Sequence, residues 1–411
     1  MICDIALAHG DDPALRAGLQ RHQIRALEDI AACGTAAMGF HEEVCDDCGD
    51  RRLAPNTCGN RHCPHCQGRV RAKWVEDRTD ELLPVGYFHV VLTLPPDLRA
   101  LAKAFPRVVL GAMMQAAPDV IATLCLNERH LGAEVGQLAV LHTWKRDLGW
   151  HPHVHLIVTA GGWDDRHHRW IPANTYGSAK KPFLLPAAVL RAAFQRQMRT
   201  LLLRAYRQGR FFDDPSTGFP ELDDLAAFTA RLDQSIANPW VLRIEPPFGG
   251  PVQVVKYLGA YVGRVAISPS RITAHDPKAA TVTYTWTTNA EPDKPQEATI
   301  PAVEFLRRFL QHVLPPRFQR IRFRGLWSTA HRETKLRLVQ RHLKARPIPP
   351  SSPPVSPPPD PRYRCTCCGI GTYQRTPGPC PRPSAQVRRR LLETIRAGLR
   401  TQAPQEAITA A

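Results

Sequence analysis

The chain has 411 residues, with 54 Lys and Arg against 37 Asp and Glu, a formal net charge of +17 and a pI near 9.7. This length suits roughly two to four domains with a sizeable core, and the basic excess attracts polyanions, nucleic acid first. No run approaches about 18 consecutive apolar residues and no basic, apolar leader follows Met1, so a membrane span and a signal peptide are excluded and a reducing cytoplasm is expected.

Residues 1–40 read as a helical lead-in, with Leu15, Leu19, Ile24, Leu27 and Ile30 on one face. A cysteine-rich segment follows at 41–75. Tyr87 to Leu94 is β-branched and aromatic and stops at Pro95-Pro96, which predicts a strand. Residues 97–130 have helical spacing. Leu138 to Trp144 and His153 to Thr159 are two more strand candidates across the turn-like 145–150, and 186–208 and 220–236 return to helical spacing. Strands and helices joined by hairpin-length loops predict an antiparallel α+β domain over 80–275. A basic region, 276–346, leads to a linker at 347–362, where nine prolines fall in the fifteen residues from Pro347 to Pro361. The tail, 363–411, holds a Cys cluster and a basic helix, Val387 to Arg400.

Ten of the 12 cysteines lie in two windows, Cys33 to Cys66 and Cys365 to Cys380. In the first, Cys45-x2-Cys48 and Cys63-x2-Cys66 have the spacing of a four-thiolate zinc site, since each such turn places two sulfurs about one ion. Cys58, His62 and His65 are close enough in sequence to replace a thiolate. With all four positions filled, this Zn²⁺ is structural, and it is expected to present Arg51, Arg52, Arg61, Arg69 and Arg71 to a phosphate backbone.

His151-Pro152-His153-Val154-His155 puts three imidazoles on one face of a strand, because side chains two apart point the same way. His153 and His155 can share one metal ion. A turn centred between Asp147 and Leu148 sets His142 opposite His153, which makes His142 the first choice for a third ligand and His151 the second. Further on, Gly249-Gly250-Pro251 opens a helical pattern whose apolar side is Val252, Val255, Leu258, Val262 and Val265. Gln253, Tyr257, Tyr261 and Arg264 fall on the other side.

The combination of a His-apolar-His strand with a later Tyr-x3-Tyr helix is the signature of HUH nucleases. The chain resembles the rolling-circle insertion-sequence transposases of the two-tyrosine HUH class with an N-terminal zinc-binding domain. Residues 58–66, 89–95, 141–144, 151–155, 246–251 and 257–268 carry the likeness, which spans roughly residues 15–330. The resemblance implies an antiparallel-sheet nuclease core that uses Mg²⁺ or Mn²⁺ to cut single-stranded DNA at transposon ends. Tyr257 and Tyr261 would act as nucleophiles, with Lys256 and Arg264 beside the phosphate. A phenol titrates near 10 and needs such help at neutral pH. The nucleoid is then the expected location. Over 307–346, twelve Lys and Arg interleave with Phe309, Phe318, Phe323 and Trp327, a composition suited to a single-strand groove in which Arg320, Arg322 and Arg324 meet phosphates. Alternatives are a plasmid or phage replication initiator or relaxase of the same chemistry, and a non-enzymatic zinc-dependent DNA-binding regulator.

Overall fold

The structure is a computed structural model and describes residues 1–67, 78–176, 181–212, 218–248, 254, 265–288, 291, 293–343, 364–376 and 382–402. The elements that organise it are helices α1 (Ile2–His9) and α2 (Arg21–Ala32) and strands β1 (Phe40–Cys45), β2 (Arg51–Pro55) and β3 (Tyr87–Thr93). Then come α3 (Pro106–Leu126), β4 (Gly136–Trp144), β5 (Trp150–Thr159), α4 (Ala187–Arg207), α5 (Leu225–Ala237) and β6 (Leu242–Phe248). A three-stranded meander, β7 (Ile272–Asp276), β8 (Thr281–Trp286) and β9 (Gln296–Pro301), leads to α6 (Ala302–Leu310) and β10 (Ile321–Gly325). The tail supplies β11 (Tyr373–Arg375) and α7 (Ala385–Gln402). The α+β antiparallel class expected from the strand pattern is the one observed.

The centre is a five-stranded sheet in the order β6-β3-β5-β4-β10, antiparallel throughout. Its two faces follow from the period-two alternation. Phe88, Val90, Leu92, Ala139, Leu141, Val154, Leu156 and Val158 point to one side, where they form a single core with Met113, Ile121, Leu190, Phe194, Met198, Phe228 and Leu232 of α3, α4 and α5. Helix α3 is long and apolar enough to cross a membrane by length and composition, and the fold uses it as a core helix. The other face carries Leu138, Val140 and Ile157, packed against Val254, Trp327, Leu336 and Val339, and, toward the β4–β5 turn, the histidines.

Hairpin β4–β5 pairs His142 with His153 and Leu138 with Ile157, the register that the turn predicts. Leu148 sits in that turn at φ 66, a left-handed conformation that costs a branched side chain about 1 kcal/mol. Burial of its side chain among the second core, with Ile5, Ile30, Phe305 and Phe309, offsets this cost.

The tail beyond the proline linker packs onto the N-terminal region. Strand β11 pairs with β1, and α7 packs along α1 and α2, with Arg388 on Asp29 at 3.0 Å and Arg396 donating to the carbonyl of Leu7 at 2.9 Å. The linker itself lies outside the described residues.

Candidate functional site

The open face of the central sheet brings His142, His153 and His155 together, with one ring nitrogen of each within 4.8 Å of the others. Their ring centroids are 4.7 to 5.6 Å apart. Trp144 stacks on His142 at 4.6 Å and fixes its ring plane. His151 is not a member of this group. It lies at the strand's end, its ring 5.4 Å from that of His153, and burial pushes its pKa down to about 4.

Hydrogen bonds decide which nitrogen each imidazole offers. The carbonyl of His151 can only accept, so the 2.7 Å contact from His153 puts the proton on Nδ1 and the lone pair on Nε2. His155 is oriented from further out. The carboxylate of Glu245 accepts from His89 Nδ1 at 2.8 Å, and burial lowers the pKa of His89, which keeps that ring neutral. His89 Nε2 must then accept, and it faces His155 Nδ1 at 2.9 Å, so His155 donates through Nδ1 and also presents Nε2. A carboxylate–histidine chain behind a ligating imidazole is how metal-binding histidines are held to one tautomer. His89 and Glu245 face each other across β3 and β6. Sequence spacing could not find them as a pair, because 156 residues separate them. The exposed Arg243, two residues along β6, shares this face.

Three imidazoles converging on one face suit a divalent ion. Among the described residues no carboxylate joins them, although Mg²⁺ and Mn²⁺ prefer oxygen. Tyr257, Tyr261, Lys256 and Arg264 lie outside the described residues. Val254, three residues before Tyr257, is fully buried in the apolar cluster of the histidine face, with Val140 and Ile157.

The cysteines correct the expected ligand set. Cys45 and Cys48 do not meet Cys63 and Cys66. Two separate four-sulfur clusters form, Cys33 with Cys58, Cys63 and Cys66, and Cys45 with Cys48, Cys365 and Cys368. In the first, sulfurs are 3.7 Å (Cys33 to Cys66), 3.5 Å (Cys58 to Cys66) and 3.8 Å (Cys33 to Cys63) apart. Zinc bonds of about 2.3 Å in a tetrahedron place sulfurs roughly 3.8 Å apart. The physical reason for the partition is that β1 and β2 carry the Cys45 turn to one end of their hairpin, while Cys58 returns to the end of α2, where Cys33 lies. His62 is not a ligand. It is buried, its Nε2 accepts from the backbone N–H of Leu314 and from Arg61, and desolvation holds its pKa well below the usual value.

The arginines expected at a DNA backbone are also corrected in part. Arg61 donates to the carbonyls of Phe318 (2.5 Å), Pro315 (2.7 Å) and Leu314 (3.2 Å), so its guanidinium ties the zinc-binding region to the chain before β10. Arg320 is buried, which lowers its pKa to about 10. Arg322 and Arg324 lie opposite Ala139 and Gln137 on β10, on the helix-covered side, and Arg324 pairs with Asp119 of α3 at 3.6 Å. Phe309, Phe318 and Trp327 are core residues and Phe323 is partly buried under Arg332, 5.0 Å away. Arg320 and the rings of Phe309, Phe318 and Trp327 thus serve packing first. Arg69 and Arg71 lie outside the described residues.

An antiparallel sheet with paired histidines on its central strand and a four-thiolate cluster before it is the arrangement expected of a zinc-binding, DNA-processing protein. Comparison with known families agrees: residues 136–335 match the model described as putative transposase, and residues 5–94 match the transposase zinc-binding domain. The chain is 40% identical over 338 residues to the putative transposase y4qJ of Sinorhizobium fredii, covering 82% of each chain. It is 27% identical over 326 residues to the transposase for insertion sequence element IS801 of Pseudomonas savastanoi pv. phaseolicola, covering 75% of this chain and 71% of the relative. No solved structure matches. The chain belongs to the insertion-sequence transposases of the two-tyrosine HUH class that carry an N-terminal transposase zinc-binding domain. The cluster of Cys33, Cys58, Cys63 and Cys66 lies wholly within the matched zinc-binding residues and could hold one zinc ion.

Proposed function

We propose that this transposase nicks single-stranded DNA at element ends through a 5′-phosphotyrosine link and rejoins strands in rolling-circle fashion, in the nucleoid. The observation that carries the reading is the convergence of His142, His153 and His155 on the sheet face against which Val254, just before the tyrosine pair, is packed. His153 and His155, with His142 as third ligand, would hold Mg²⁺ or Mn²⁺, which when bound supplies a positive charge that polarises the scissile phosphate. Tyr257 or Tyr261 attacks phosphorus, so that the phenolic O–P bond forms as the P–O3′ bond breaks and the 3′ oxygen takes up a proton. The phosphodiester energy is kept in the adduct, and reversal by a 3′-OH seals a strand without ATP. The second tyrosine accepts a second strand. Lys256 and Arg264 neutralise phosphate charge. Arg243, exposed on the histidine face, is placed to do the same.

The test is a labelled single-stranded oligonucleotide spanning an element end, incubated with Mg²⁺ and the wild type, Tyr257→Phe, Tyr261→Phe or the double variant. A covalent protein–DNA band is expected from the wild type and none from the double variant. A band that persists in the double variant overturns the tyrosine mechanism.

A further inference from the structure

We infer that the chain holds a second structural zinc, bound by Cys45, Cys48, Cys365 and Cys368, which ties the segment 45–48 to the segment 365–368. Half of this ligand set lies more than 270 residues beyond the zinc-binding residues that the family comparison matches, 5–94.

The geometry is that of a metal site. Sγ of Cys45 lies 3.8 Å from Sγ of Cys368, and Sγ of Cys48 lies 3.6 Å from Sγ of Cys365. These separations match a tetrahedron of zinc–sulfur bonds and are far beyond the roughly 2 Å of a disulfide. The two halves are built alike. Cys45-Asp46-Asp47-Cys48-Gly49 and Cys365-Thr366-Cys367-Cys368-Gly369 each fold into a knuckle that ends on a left-handed glycine, at φ 73 and φ 69. In each, the backbone N–H groups two and three residues on donate to the first sulfur, at 3.4 and 3.5 Å for Cys45 and at 3.3 and 3.5 Å for Cys365. Such donors stabilise thiolates, the form a zinc ion needs. Gly371 lies so close that a Cβ there would stand 2.6 Å from Sγ of Cys45.

The surroundings show why a metal is needed. Strands β11, β1 and β2 form a three-stranded sheet, yet its own buried apolar cluster consists of Cys45, Cys365 and Tyr373, with Cys368 half-buried beside them. So small a cluster cannot offset the entropy of ordering residues 364–376, and small domains of this kind are held by metals. Polar contacts align the two halves without replacing a core. Asp46 accepts from the N–H and hydroxyl of Thr372 at 2.7 and 2.8 Å, Tyr373 donates to Asp50 at 2.6 Å, and Arg52 lies over the Tyr373 ring at 3.8 Å.

The test uses the full chain purified with a reductant present. Cys48 and Cys367 are both exposed, so without a metal both should react with N-ethylmaleimide. The expected result is that Cys367 is labelled at once, while Cys45, Cys48, Cys365 and Cys368 are labelled only after a zinc chelator is added. Immediate labelling of Cys48 overturns the proposal, and so does protection that reductant alone removes, which indicates disulfides. In cobalt-loaded protein the thiolate-to-cobalt charge-transfer band, blind to histidine sites, should fall by half in the Cys365→Ser/Cys368→Ser variant and stay unchanged in Cys367→Ser. A band of equal strength in the double variant also overturns it.

Discussion

Replacing His89 with alanine tests the support behind the histidine cluster. The ring is buried, stacked on His155 with centroids 5.2 Å apart, and it accepts the Nδ1 proton of His155 at 2.9 Å. In His89→Ala that buried N–H loses its acceptor, a cost of about 1–3 kcal/mol. His155 recovers part of this by rotating or by moving its proton to Nε2, and either change withdraws the lone pair from the metal site proposed above. Loss of such outer partners lowers metal affinity or activity about 10–100-fold, which is roughly 1.4–2.8 kcal/mol. The assay is Mn²⁺ affinity by titration, beside the nicking rate at saturating Mn²⁺, with folding checked by circular dichroism. His89→Gln restores an acceptor and should recover much of the loss. Glu245→Gln, which still accepts from His89 at a half-exposed position, should cost only a few-fold. A folded His89→Ala protein with wild-type Mn²⁺ affinity would refute the reasoning.

Three further outcomes follow from other parts of the molecule. Cys63→Ser breaks the first zinc cluster at a fully buried sulfur, and because structural zinc contributes about 10 kcal/mol or more, the N-terminal region should become protease-sensitive while the central sheet persists; unchanged proteolysis would contradict the assignment. Arg61→Ala should lower stability by roughly 2–3 kcal/mol, since three carbonyls lose a charged donor, and should leave the salt dependence of DNA binding unaltered; a reduced salt slope in a protein of wild-type stability would restore Arg61 to the DNA surface. His312 is fully buried, donates from Nε2 to the carbonyl of Leu148 and accepts from Thr143, and desolvation pushes its pKa from 6.5 down to about 4. The unfolded chain therefore takes the proton first: the contribution of His312 to stability is intact above pH 6.5, falls as pH drops toward 4, and totals up to about 3 kcal/mol. His312→Gln should flatten this acid loss in melting curves recorded between pH 7 and pH 4, and an equally steep loss would show that other groups cause it.

Local physics made much of the fold legible. Strands β3, β4 and β5 were readable because alternation and β-branched composition are properties of a few adjacent residues, and the short turn at Lys145 to Gly149 set His142 against His153 with no long-range information. Helix α1 falls within the helical lead-in expected over 1–40, although its eight residues carry little periodicity and owe their place to burial of Ile2 and Ile5. Over 307–346 composition records charge and ring count, while burial decides use: Arg320, Phe309, Phe318 and Trp327 are buried.

By itself, the sequence determined the polyanion-seeking charge, the antiparallel class, the histidine face and the presence of thiolate metal sites, because each depends on composition, on period-two spacing or on a turn of a few residues. Only the tertiary structure decided which cysteines share an ion. A Cys-x2-Cys turn supplies two corners of a tetrahedron and says nothing about the other two. Those come from Cys33, at the end of α2, and Cys58 for Cys63 and Cys66, and from Cys365 and Cys368, more than 300 residues away, for Cys45 and Cys48; only the folded chain brings each set together. The same holds for Glu245 and His89, which act on His155 because three strands distant in sequence lie side by side.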